Sequence, residues 1–172
     1  MLIKTLLNRC YWLKSFVYAK TNMEMVEAEE AIVVQIEPRK NSRPCCSGCG
    51  HMGKARLFEF VPLWGIKVYF RYRMRRVNCP RCGVKVERVP WAQGKNHLTG
   101  PMQWFLAQWA RRLSWEETAR GFRTNWRNVY ESVETMVRWG LKHRDMSDIE
   151  AIGVDEVQYH RGQSLSHRGL PD

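Results

Sequence analysis

Between residues 66 and 75 apolar and polar side chains take turns: Val68, Phe70, Tyr72 and Met74 alternate with Lys67, Tyr69, Arg71, Arg73 and Arg75. A period of two sends successive side chains to opposite faces, so this stretch predicts a half-buried strand with one packed face and one basic face. Leu57 to Val61 supplies a partner strand, and Pro62 to Gly65 the turn between them. Ala31 to Ile36 is also strand-like, behind an acidic patch of Glu24, Glu27, Glu29 and Glu30, but residues 1–44 as a whole have no readable role.

Beyond residue 97 the period lengthens to that of a helix. Met102, Phe105, Leu106, Trp109, Ala110 and Leu113 recur at helical spacing after Thr99, with Pro101 in the first turn, where proline is tolerated. Ser114-Trp115-Glu116-Glu117 reads as a capping box that opens a second, short helix through Ala119, ending near Gly121. A third helix starts at Thr124, with Trp126, Val129, Val133, Met136, Val137 and Leu141 as its apolar stripe. Two helices separated by a few residues, behind a leading helix, describe a helix-turn-helix, in which the N-terminal face of the last helix enters the major groove. Asn125, Arg127 and Asn128 hold those positions, with Glu131 beside them, and they are residue types that read base edges. Any three-helix bundle needs caps and stripes, so a plain bundle stays open as the alternative. Trp104, Trp109, Trp115, Trp126 and Trp139 are expected in the core.

Charge sharpens this picture. Lys and Arg number 28 against 17 Asp and Glu, a net charge of +11. The excess sits between Arg39 and Lys95, where 14 basic residues meet two acids, Glu59 and Glu87. A positive field confined to one segment suits a phosphate backbone, whose neutralisation releases condensed counterions; a merely solubilising surface is the alternative. The exposed row Arg71, Arg73, Arg75, with Arg76 beside it, is the expected phosphate-contacting surface, and a solvated strand face is its bland reading. At 172 residues, with 44% hydrophobic and 26% charged residues, the chain fits one domain or a few small modules and excludes a disordered tail. No apolar run exceeds four residues, against the roughly 18–20 of a membrane span. Lys4 and Arg9 break up the stretch a secretory signal would use. No membrane partner and a cytoplasmic, nucleoid-associated location are expected.

Cys46-Ser-Gly-Cys49-Gly50 and Cys79-Pro-Arg-Cys82-Gly83 are two copies of one pattern, separated by 29 residues. A two-residue spacer lets two thiolates face one tetrahedral ion, and paired C-x-x-C elements point to structural zinc held by Cys46, Cys49, Cys79 and Cys82. Disulfides are poor competitors in a reducing compartment, and redox C-x-x-C motifs come singly. Cys45 has a spacing one residue too long, Cys10 reads as a small core residue, and His51 and His97 are not needed. A β zinc ribbon of this size buries too little core without its metal, so zinc is expected to carry its stability.

The run from Asn41 to Gly50, Phe58-Glu-Phe-Val-Pro-Leu-Trp-Gly-Ile66, Arg75 to Val84, Arg112-Leu-Ser-Trp-Glu116 and Ile149-Glu-Ala-Ile-Gly-Val-Asp-Glu156 together resemble bacterial insertion-sequence transposases of the ISL-three group. The resemblance implies a zinc ribbon, a helix-turn-helix that binds the terminal inverted repeats in double-stranded DNA, and a DDE catalytic domain of RNase H-like fold. It makes Asp155 the first of three acids that hold two divalent metals, Mg in a complete domain, for strand cleavage and joining. After Asp155 only Glu156 and Asp172 remain as acids, and Ser164 to Asp172 is basic and turn-rich where the family has an apolar second strand. A truncated or frameshifted form without its own catalysis is therefore expected. A DNA-binding regulator or inhibitor of the full-length transposase, pairing with it or with itself, and a zinc-stabilised protein-interaction module are the alternatives.

The expected fold class is α+β in several modules. Residues 1–44 have no clear role, residues 45–95 form a small zinc ribbon, residues 96–145 an all-α helix-turn-helix bundle, and residues 146–172 the first strand of an incomplete RNase H-like domain.

Overall fold

A computed structural model describes residues 2–40, 42, 52–79, 83–93, 96–145 and 147 of the chain, with the backbone alone at 52–55, 78 and 79. The elements run α1 (Ile3–Cys10), β1 (Phe16–Val26), β2 (Glu29–Pro38), β3 (Met52–Leu63), β4 (Ile66–Cys79), β5 (Gly83–Val86), α2 (Gly100–Trp109), α3 (Trp115–Gly121) and α4 (Trp126–His143).

In β2 the run Ala31-Ile32-Val33-Val34 is buried without a break, and a strand apolar on both faces belongs inside a sheet. It lies there: the order is β1-β2-β4-β3, with β5 extending the far end of β4. The hairpins β1–β2 and β3–β4 are antiparallel. Between them β2 and β4 run parallel, in register from Ala31 beside Lys67 to Gln35 beside Arg71. Each hairpin closes on two residues in the left-handed region, Glu27 and Ala28 in one, Trp64 and Gly65 in the other, the backbone that two-residue hairpin turns require.

The alternation in β4 sorts its side chains as expected. Val68, Phe70, Tyr72 and Met74 face a core shared with Ile32, Val34, Ile36, Phe58 and Phe60. Leu7 of α1, Leu13, Phe16, Val89 and Trp91 cover that face. Trp91 is wholly buried, with its ring edge-on to Phe16 at 4.9 Å and to Tyr72 at 5.2 Å. Lys67, Tyr69, Arg71 and Arg73 point to the opposite, outer face.

Strand β3 gains a short partner on its free side. Glu59 pairs with Leu98 in a parallel bridge, the Thr99 backbone N–H and hydroxyl both donate to the Glu59 carbonyl, and Gly100 N–H donates to the Trp91 carbonyl. The helices therefore start from the sheet. Thr99 caps α2 and Ser114 caps α3 in a complete capping box with Glu117, while Asn125, one residue past the expected start, caps α4. A second core of Leu98, Met102, Leu106, Ala119 and Val129 joins the three helices.

This architecture overturns the expectation of a small zinc ribbon followed by an all-α helix-turn-helix bundle. Among the described residues there are four helices and a five-stranded mixed sheet, and β1 to β5 form one β-rich N-terminal half. Residues 1–44 supply two of its five strands, β1 and β2, and the strands expected to make a ribbon draw their core from β1, β2, α1 and Trp91. Two smaller expectations also change. Cys10 is exposed, at the solvent end of α1. Trp104, Trp109, Trp115, Trp126 and Trp139 are all partly exposed, since the helical core is filled by smaller side chains. The expected strand at 149–159 lies outside the described residues. No described helix is long and apolar enough to cross a membrane.

Candidate nucleic-acid interface

Strand β4 carries four of the arginines that sequence alone marks as phosphate contacts, and the structure gives them different surroundings. Arg71 lies on the outer face and is forked onto Glu24 of β1, Nη1 to Oε1 at 3.0 Å and Nη2 to Oε2 at 2.7 Å. Those hydrogen bonds hold the Glu24 carboxyl below its ordinary range. Arg75 is forked onto Glu87, whose side chain is almost wholly buried. Glu87 also accepts from the Tyr72 hydroxyl at 2.6 Å and from the Arg75 backbone N–H at 2.9 Å. A guanidinium held this way braces the fold: the fork takes two of its five N–H donors, and the partner carboxylate offsets its charge. Arg73 and Arg76 are exposed and hold no ion pair among the described residues, so of the four they are the two whose charge no carboxylate offsets.

At the N-terminus of α4 the division is similar. Asn125 accepts from the Asn128 N–H at 2.8 Å, and the Asn128 side-chain amide donates to the Thr124 hydroxyl at 2.8 Å. Both asparagines thus shape the start of the helix. Arg127, between them, is exposed. Trp126 and Tyr130 stand out beside it, and Tyr130 packs its ring edge-on against Trp115 of α3 at 5.3 Å.

The sheet and this helix meet at the turn between α3 and α4. Lys67 Nζ donates to the Arg123 carbonyl at 2.8 Å, and Arg123 donates to the Gly65 carbonyl at 2.6 Å and pairs with Glu29 at 3.2 Å. Alongside runs a groove of about 510 Å³ whose walls include Glu59, Lys67, Tyr69, Arg123, Asn125 and Asn128. Burial raises the Glu59 carboxyl above its ordinary range; Glu27 and Glu29 push the same way, and Lys67 and Arg123 oppose. The groove thus brings the start of α4 to the Lys67–Tyr69 end of the outer face of β4, while Arg127 on the helix and Arg73 further along the strand are both exposed.

Cys46, Cys49 and Cys82 lie outside the described residues, as does Asp155. Cys79 ends β4, where its backbone pairs with Gly83 in the left-handed region at φ +69°. Sequence reasoning missed Glu24, Glu29, Glu87 and Arg123. One signal was available: Glu59 and Glu87 are the two acids in a strongly basic segment, and both withdraw from solvent.

Over 124 residues the chain is 25% identical to the transposase for insertion sequence element IS1001 of Bordetella parapertussis, a match covering 68% of this chain and 30% of that protein. Over 157 residues it is 28% identical to the transposase for insertion sequence element IS1557 of Mycobacterium tuberculosis, covering 83% of this chain and 35% of that protein. The chain is a distant relative of insertion-sequence transposases. It spans about a third of the length of these relatives. No protein-family model matches it, and no solved structure does.

Proposed function

We propose that these residues form the DNA-recognition part of an insertion-sequence transposase and bind double-stranded DNA at the terminal inverted repeats of the element. The observation that carries the reading is the first turn of α4, where exposed Arg127 stands between two asparagines that fix the helix start, next to a strand on which Arg73 and Arg76 are exposed and hold no ion pair among the described residues. Arg127 reads base edges in the major groove, Arg73 and Arg76 contact phosphates, and Arg71 and Arg75 stiffen the strand beneath them. Kinship to transposases supports DNA as the partner.

Zinc would be held by Cys46, Cys49, Cys79 and Cys82 and would fix the tip of the β4–β5 hairpin. Strand cleavage needs three converging carboxylates; Asp155 is the first of them, and its two partners are absent from these 172 residues. Recognition is the part of the reaction proposed for the residues described.

A duplex selected by the protein from a random-sequence pool provides the test. Its affinity should fall steeply with salt, and Arg73→Ala should lower the salt slope by about one unit without altering sequence preference. Arg127→Ala should relax preference at one base position, at a cost of about 1–3 kcal/mol. Binding that ignores salt concentration would overturn the reading.

A further inference from the structure

Arg123 stands where a glycine is expected. It closes the turn between α3 and α4 with φ at +51°, in the left-handed region that costs an ordinary side chain roughly 1–2 kcal/mol. Something must offset that cost, and the contacts around Arg123 do. Its guanidinium reaches the Gly65 carbonyl in the β3–β4 turn and Glu29 at the start of β2, while its own carbonyl takes a hydrogen bond from Lys67 of β4. One residue of the helical turn is thus tied to three places at one end of the sheet. The next residues are Thr124, which receives the Asn128 amide, and Asn125, which caps α4. The clasp and the reading helix share a continuous run of backbone.

We infer that Arg123 is a positioning residue that sets where the first turn of α4 stands relative to the sheet, and that the β1–β2 hairpin, through Glu29, belongs to the DNA-reading body. This rests on the DNA-recognition role proposed above. The hairpin thereby acquires a role that its own sequence does not disclose. A helix placed by a fixed clasp presents Arg127 and the sheet arginine Arg73 at one spacing, and a duplex rewards only one spacing. Sequence preference should therefore depend on the clasp more than phosphate attraction does.

The test compares Arg123→Gly, Glu29→Ala and the double variant in the full chain. Glycine keeps the left-handed backbone, so Arg123→Gly removes the two guanidinium ties, to Gly65 and Glu29, without adding strain, and leaves only the hydrogen bond from Lys67 to the backbone carbonyl. Two readouts are taken: amide hydrogen exchange in the first two turns of α4, and affinity for the selected duplex against an unselected one at two salt concentrations. Both single variants should exchange faster in α4 and lose about fivefold in affinity for the selected duplex, with the salt slope unchanged, and the double variant should lose no more than either.

If Arg123 only touches phosphate, Arg123→Gly lowers the salt slope, while Glu29→Ala, which removes a negative charge, binds as well or more tightly. That result overturns the inference. Unchanged exchange in α4 in both single variants overturns it whatever the DNA result. A wild-type protein that shows no salt-dependent binding to any duplex refutes the DNA reading, and with it the reading role of the hairpin.

Discussion

Replacing Glu87 with alanine should be among the most damaging single changes in the β-rich half. The Glu87 side chain is 1% exposed and its partner Arg75 18% exposed. Its two oxygens accept from Arg75 Nε at 2.9 Å, Arg75 Nη2 at 2.8 Å, the Arg75 backbone N–H at 2.9 Å and the Tyr72 hydroxyl at 2.6 Å. Alanine leaves a guanidinium, an amide and a phenol without their acceptor. Removing one member of a buried ion pair costs about 3–5 kcal/mol, and the residual exposure of Arg75 admits some water, which puts the loss near the lower end, at about 3 kcal/mol. For a chain of this size that corresponds to roughly 6–12 °C in Tm. Glu87→Gln keeps an acceptor and should lose only about 1–2 kcal/mol. Tyr72→Phe removes one donor alone and should cost about 1 kcal/mol. Urea unfolding followed by tryptophan fluorescence is a suitable assay, because Trp91 lies against Tyr72. A Glu87→Ala protein within about 1 kcal/mol of wild type would refute the view of Arg75 as a brace and return it to the DNA-facing row.

Three further outcomes are expected. Burial raises the Glu59 carboxyl, so the folded state holds its proton more tightly than the unfolded chain; that stability is present at low pH and is lost as pH rises through the raised value. Glu59→Gln should therefore be more stable than wild type at neutral pH and flatten the dependence of Tm on pH, and a variant less stable than wild type at neutral pH would contradict this. Trp91→Ala should lose about 3–5 kcal/mol by opening a cavity among Phe16, Phe58 and Tyr72; Trp91→Phe should lose less, because it also removes a buried indole N–H that has no acceptor among the described residues. Cys79→Ser should release zinc yet leave the main unfolding transition in place, since the core lies elsewhere; loss of the whole transition with the metal would restore zinc as the support of the sheet.

Much of the local structure was legible in the residues themselves. Ser114 and Glu117 lie three positions apart and form both halves of the capping box, and Thr99 caps its helix from two positions before Pro101. The faces of β4 followed from alternation alone. Each of these depends on atoms within a few residues, where sequence distance and spatial distance agree. The candidate site was legible only in its residue types. Arg71, Arg73, Arg75 and Arg76 look alike in a linear chain, and what separates them is whether a carboxylate stands within reach.

The residues by themselves thus determined where helices begin, which face of β4 is apolar, and that a concentrated positive field sits in the middle of the chain. Tertiary structure decided that β2 lies parallel to β4 and turns the N-terminal residues into two of the five strands of the sheet. It also decided that Glu24, 47 positions away, occupies Arg71, and that Arg123 reaches back 58 positions to Gly65. Caps and alternation are settled by the backbone within one or two turns. Strand order, ion-pair partners and the tryptophans left exposed depend on which distant surfaces the folded chain brings together.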